Sequence, residues 1–242
     1  MSAKTRVAAI LGAGPGTGAA LARAFSAKGY TVAVLARSAK TLEPLAADIK
    51  QKGGNVEAIN CDVTDEKSVA SAFERIAKLG DLRVAVLNAS SGFKRSPFLD
   101  LSLDDFTANF KVETIGAFLF SQAAIRAMLA HKNGPSTLIF TGATAALRGG
   151  AMFAAFAPPK FALRGLSQSL AREFGPQGIH VAICEIDGII DTPRMRGFAG
   201  EPKTANDWLQ PDDIAAAYVH LTEQRPSAWT QELDLRPANE KW

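Results

Sequence analysis

The chain is poor in the side chains that most often carry chemistry alone. Its 242 residues include two cysteines, three histidines and two tyrosines. Cys61 and Cys184 stand in apolar, strand-like runs with no C-x-x-C spacing and no histidine nearby. That pattern argues against a zinc site and a disulfide framework, leaving buried inert thiols, and no metal is expected. No run of about eighteen apolar residues is present, so a membrane-spanning helix is not expected. The N-terminal MSAKTRVAAILGAG passes into a Gly-rich turn without a cleavage-site pattern, and the expectation is a cytoplasmic protein with no membrane partner. Charge of one sign is scarce too. Lysines and arginines number 27 against 24 acids, a net +3 without a basic stripe, which argues against nucleic acid as a partner. With no internal repeat, low-complexity tract or linker, residues 1–242 are expected to form one domain.

What is present is alternation. Short β-branched runs near 6–11, 31–36, 55–60, 83–88, 137–141, 180–185 and 230–235 have the length and composition of strands. Between them, Ala/Leu-rich segments near 16–28, 39–52, 66–79, 103–131, 153–174 and 211–223 have helical period. Repeated strand–helix units predict an α/β fold of three layers, a doubly wound and mainly parallel seven-stranded sheet of Rossmann type. Ligands of such sheets bind at the carboxyl ends of the strands.

After the first strand comes Gly12-Ala13-Gly14-Pro15-Gly16-Thr17-Gly18, opening a helix. Glycines there let the backbone turn tightly against a pyrophosphate held at a helix N-terminus. Further along stand Cys61-Asp62-Val63 and Asn88-Ala89-Ser90, each closing a strand, then KFALRGLSQSLAREFGPQGIHVAICEIDG from Lys160, Asp187-Gly188-Ile189-Ile190-Asp191-Thr192, and a closing TQELDLRP. Glycines at 12, 16 and 18, together with these segments in this order, resemble the short-chain dehydrogenase/reductase family over about residues 6–236. The resemblance implies that Gly12, Gly14, Gly16, Thr17 and Gly18 cradle the dinucleotide. It likewise implies that Asp62 and Val63 lie at the adenine, Asn88 and Ala89 line the crevice, and Gly188, Ile190 and Thr192 reach the nicotinamide end.

NAD-preferring relatives place an acid at the end of the second strand, where this chain has Arg37-Ser38. A guanidinium at Arg37 and a hydroxyl at Ser38 suit a 2′-phosphate, so NADP(H) is expected in preference to NAD(H).

At the reaction centre the resemblance breaks. In the family a Tyr donates the proton, a Lys four residues later binds the ribose, a Ser thirteen before the Tyr orients the carbonyl, and an Asn organises a relay. Lys160 matches, but the other positions hold Phe156, Ala143 with Thr144 beside it, and Glu113 within Val112-Glu113-Thr114-Ile115-Gly116. Neither Tyr30 nor Tyr218 is expected to reach the carboxyl ends of the central strands. The histidines His131, His180 and His220 fall at a helix end, a strand start and a late helix, and are expected to be structural. Glu113 is expected to meet Lys160 across the crevice floor, either as its counter-ion or as a proton-bearing acid, with Val112 and Ile115 packed inward. Catalytic candidates are thus Lys160, Glu113, Thr144 and Phe156.

These residues imply an NADP(H)-dependent oxidoreductase with an altered centre, acting on a small molecule that needs hydride more than a strong acid. The alternative is a nucleotide-binding sensor or assembly partner with little turnover. Residues 191–210 are expected to form a substrate loop, with Arg194, Met195, Arg196 and Phe198 on an apolar, basic lid. A homodimer or homotetramer is implied by the resemblance.

Overall fold

The computed structural model describes residues 5–92, 95–131 and 134–240, and in it the β-branched runs become parallel strands. In chain order the elements are β1 (Arg6–Leu11), α1 (Thr17–Ala27), β2 (Thr31–Ala36), α2 (Ala39–Gln51), β3 (Val56–Asn60), α3 (Glu66–Leu79) and β4 (Asp81–Leu87). After these come α4 (Leu103–Phe110), α5 (Gly116–Leu129), β5 (Ser136–Thr141), α6 (Ala157–Phe174), β6 (Ile179–Ile186), α7 (Pro193–Ala199), α8 (Pro211–Glu223) and β7 (Glu232–Leu235). The sheet order is β3-β2-β1-β4-β5-β6-β7, with every neighbouring pair parallel. The order reverses between β1 and β4, which opens a crevice above their carboxyl ends.

Both faces of the sheet are covered, which is why its central strands are apolar throughout. Val7, Ala9 and Leu11 of β1 pack with α3, α5 and α6, while Ala8 and Ile10 pack with α1, α2 and α8. Both thiols are buried, and burial pushes the Cys61 thiol up to about 11 and that of Cys184 higher still.

Three departures from the sequence reading, and one start set by prolines, shape the crevice. The helix expected over 103–131 is broken by a π turn, Lys111–Ile115, between α4 and α5. A π turn shifts the helical register of its residues, so Ile115 points outward at 53 % exposure instead of packing inward, while Val112 does pack on the core and Glu113 is fully buried. Within the helical segment near 153–174, Pro158 and Pro159 place the helix start close to Phe156, since proline is tolerated in a first turn, and α6 begins at Ala157 with Phe156 as its N-cap. The expected loop 191–210 contains α7, with Pro193 in its first turn and Thr192 capping it through a bond from the Met195 N–H. Finally, Tyr218 does reach the carboxyl end of β5, against expectation. From α8 on the far face, its hydroxyl lies 2.9 Å from Thr141 Oγ1, and the side chain is wholly buried.

The stretch Leu103–Leu129 is long and apolar enough to cross a bilayer by composition, but half of its most apolar window is buried within the fold, as in a core helix. Tyr218→Phe should lower stability by about 1 kcal/mol, the net worth of one buried hydrogen bond, in chemical denaturation. No loss would mean that Thr141 gains nothing from the phenol.

Candidate active site

The Gly-rich turn is fixed by close approach. Gly12 and Gly16 hold φ of 82° and 102°, and a Cβ at Gly18 would stand 2.2 Å from the Gly12 carbonyl oxygen. Gly14, by contrast, opens onto free space, and no side chain caps the N-terminus of α1, where Thr17 is buried. A bare helix N-terminus behind an open glycine turn can hold a pyrophosphate. Thr192 closes one side of it, its methyl lying against Gly16. Asn88 braces the turn from below: its Nδ2 donates to the Gly12 carbonyl at 3.1 Å, and its Oδ1 accepts from Thr141 Oγ1 at 3.1 Å. With that side chain engaged by protein, Asn88 and Ala89 contribute backbone to the crevice wall.

Arg37 is exposed just beyond β2, and Ser38 stands at the N-cap of α2 without a side-chain capping bond. Asp62 ends the neighbouring segment. The Thr64 N–H and hydroxyl both donate to its Oδ1, at 2.9 and 2.7 Å, and hold its carboxyl below the usual range, with a further contribution from the Arg37 charge. Val63 is buried against Gly116. Arg37 thus stands exposed within electrostatic reach of the Asp62 carboxyl.

The centre of the crevice is a buried ion pair. Lys160 Nζ lies 3.0 Å from Glu113 Oε2, with side-chain exposures of 6 % and 0 %. Lys160 also donates to the Thr141 carbonyl at 3.2 Å, and Ser90 Oγ donates to Glu113 Oε1 at 2.6 Å. The π turn aims Glu113 inward, and the start of α6 at Ala157 places Lys160 opposite. The Phe156 ring centroid is 5.9 Å from the Lys160 ammonium, within cation–π range. Thr144 is not aimed at an open centre: its hydroxyl donates to Asp187, which also pairs with Arg236 at 3.2 Å. Next in the chain, Gly188 at φ 149° lies against Pro237, and Ile190 bridges to Leu209, so this stretch is braced by the C-terminal segment.

Beside the pair, a cavity of about 190 Å³ is lined by Leu101, Asn109, Ala155 and Arg194, among others. Of the lid residues, Arg194 reaches this cavity, whereas Arg196 forks onto Asp191 at 2.6 and 2.8 Å and Phe198 is 76 % exposed.

Sequence reasoning missed Glu185. It is 2 % exposed in β6, and burial raises its carboxyl to about 7. The signal was a lone acid inside the apolar run HVAICEI.

An all-parallel sheet in this order, with a glycine turn after β1, defines a doubly wound α/β protein of Rossmann type. The chain belongs to the short-chain dehydrogenase family, whose profile, described as short chain dehydrogenase, matches residues 6–201. A D-threitol dehydrogenase of Mycolicibacterium smegmatis is 31% identical over 225 residues, covering 89% of this chain and 85% of that protein. A solved short-chain dehydrogenase from Rhodopseudomonas palustris is similar at TM-score 0.82 and 35% identity, covering 96% of this chain and 98% of that one. Another, from Burkholderia cenocepacia in complex with NADP, is similar at TM-score 0.82 and 30% identity, covering 96% of each chain.

Glu185 makes stability depend on pH in a defined direction. Its folded value of about 7 lies above the ordinary 4.5, so its contribution is fully present below 4.5 and is lost as pH rises to about 7. Glu185→Gln should flatten the stability profile between pH 4.5 and 7, removing a fall of about 3 kcal/mol. Parallel wild-type and variant profiles in urea denaturation would sink the assignment.

Proposed function

We propose that this chain is an NADP(H)-dependent oxidoreductase whose centre works without a phenolic acid. The observation that carries the reading is the convergence, at the carboxyl end of the central strands, of an uncapped glycine turn and the buried Lys160–Glu113 pair. Gly12, Gly14, Gly16 and Gly18 would hold the pyrophosphate, Arg37 and Ser38 the 2′-phosphate, and Lys160 the nicotinamide ribose. The dinucleotide supplies the hydride when bound. The NADP-bound relative from Burkholderia cenocepacia supports the same cofactor here.

The chain's own residues determine which chemistry is open to it. Phe156 has no proton to give, and the Thr144 hydroxyl is held by Asp187. Ser90 directs its proton at Glu113. At the centre of the crevice, among the described residues, the proton-bearing groups that remain are Lys160, Glu113 and Ser90, tied together on one side. Such a centre suits acceptors that take hydride with little acid assistance, such as a quinone, an activated alkene or an imine. Exposed Ile115, Phe118 and Phe161, at 53, 51 and 46 %, support pairing of two copies through α5 and α6.

NADPH should bind about 10- to 100-fold more tightly than NADH, the worth of a charge-assisted contact at Arg37. Fluorescence titration tests this, and Arg37→Asp should reverse the order. Equal affinity for both nucleotides in the wild type would sink the preference.

Restoring the phenol tests the altered centre. Phe156→Tyr should raise NADPH-dependent ketone reduction by about 10²-fold or more, because a positioned general acid is worth that much. If no ketone responds, the double change with Ala143→Ser separates a missing carbonyl contact from a misdirected Lys160.

A further inference from the structure

A carboxyl group buried without a partner is costly to ionise. Glu185 meets that description on the α6 face of β6, where Ile179, Val181 and Ile183 also point. Neither of its carboxyl oxygens has a hydrogen-bond partner among the described residues. The Ala143 N–H favours the ionised form but closes no hydrogen bond to either oxygen. Below the carboxyl lies Gly142, where a Cβ would stand 2.1 Å from Oε2 and 2.6 Å from Cδ. Glycine at 142 is therefore what leaves Glu185 its room.

The charged groups facing Glu185 are already matched without it. From α6, Lys160 contacts Glu113 of the π turn at 3.0 Å, and Arg164 forks onto Glu232 of β7 at 2.9 and 2.7 Å. Asp234, the register partner of Glu185 on β7, and Asp187, just beyond the end of β6, both pair with Arg236. Cys184 and Tyr218, the other titratable groups that couple to it, are kept neutral by burial, so among the described residues Glu185 is the acid in this set left without a cation.

We propose that Glu185 is a positioning residue of the nucleotide site, carrying its proton while a dinucleotide is bound so that the Lys160 ammonium stays on Glu113 and the Thr141 carbonyl. This rests on the proposed function, which assigns that ammonium to the ribose. When Glu185 gives its proton to solvent, a second carboxylate competes for Lys160 from the sheet side, and its charge also opposes an anionic ligand. Burial sets the balance near pH 7, against the opposing pull of Lys160 and Arg164 and with the repulsion of Glu232. A group that must be protonated for binding makes affinity fall as pH rises through its midpoint, and binding then takes up a proton.

The test is NADPH and NADH affinity by fluorescence titration from pH 6 to 8.5, in the wild type and Glu185→Gln. Wild-type affinity should fall about tenfold relative to the variant across this range, while the nucleotide's own titration cancels in the comparison. The glutamine, a permanently neutral stand-in, should keep the acid-side affinity. Proton uptake on binding, measured in weakly buffered solution at pH 7.5, needs no variant and should be present in the wild type with both nucleotides. Coincident profiles for wild type and variant, or no proton uptake by the wild type, would overturn the proposal alone. Failure of both nucleotides to bind at every pH would overturn the proposed function, and this inference with it.

Discussion

A buried ammonium needs an anion, and the crevice is organised around where that anion comes from. Lys160 and Glu113 are nearly free of solvent, so each would be expensive to leave charged alone. Their placement ties four segments together. The π turn directs Glu113 inward, the two prolines fix where α6 begins and hence where Lys160 stands, β5 offers the Thr141 carbonyl, and the loop after β4 brings Ser90. A buried pair of this kind adds little net stability against an apolar alternative.

The polar groups at the centre of the crevice are engaged in a consistent way. Phe156 presents its ring within cation–π reach of Lys160. Glu113 meets the Lys160 ammonium directly. Asp187, just before Gly188, takes up the Thr144 hydroxyl and is itself held by Arg236. Each of these polar groups is thus in contact with protein, while Phe156 and Ala143 contribute apolar surface.

Much of this was legible in the sequence because local physics dictated it. Strands buried on both faces must be apolar throughout, and glycines at 12, 16 and 18 mark a turn where side chains do not fit. The pairing of Glu113 with Lys160 is dictated by the cost of burying either alone. The π turn was not legible, since Lys111–Ile115 contains neither glycine nor proline and its widened register is imposed by packing. For the same reason the sequence points Ile115 inward, since in an uninterrupted helical period its place faces the core. The reach of Tyr218 is not legible either, because position along the chain says little about reach through a sheet. From α8, a phenol can pass beneath β5 to Thr141, yet its hydroxyl stays buried on the far face, where desolvation holds it protonated.

Glu185 illustrates a different limit. A single acid in an apolar strand announces a buried carboxyl, but whether it is ionised depends on which cations across the sheet are already taken. Here Arg164 is fully engaged by Glu232, with Gln168 adding a bond at 2.6 Å, and Lys160 by Glu113. These partners come from β7, α6 and the π turn, which are far apart in the chain. The proton on Glu185 is therefore a property of the folded charge arrangement rather than of its own segment. The same holds for Lys160, whose matching residue in the sequence says that a cation is present, while its three-dimensional neighbours decide which way that cation leans.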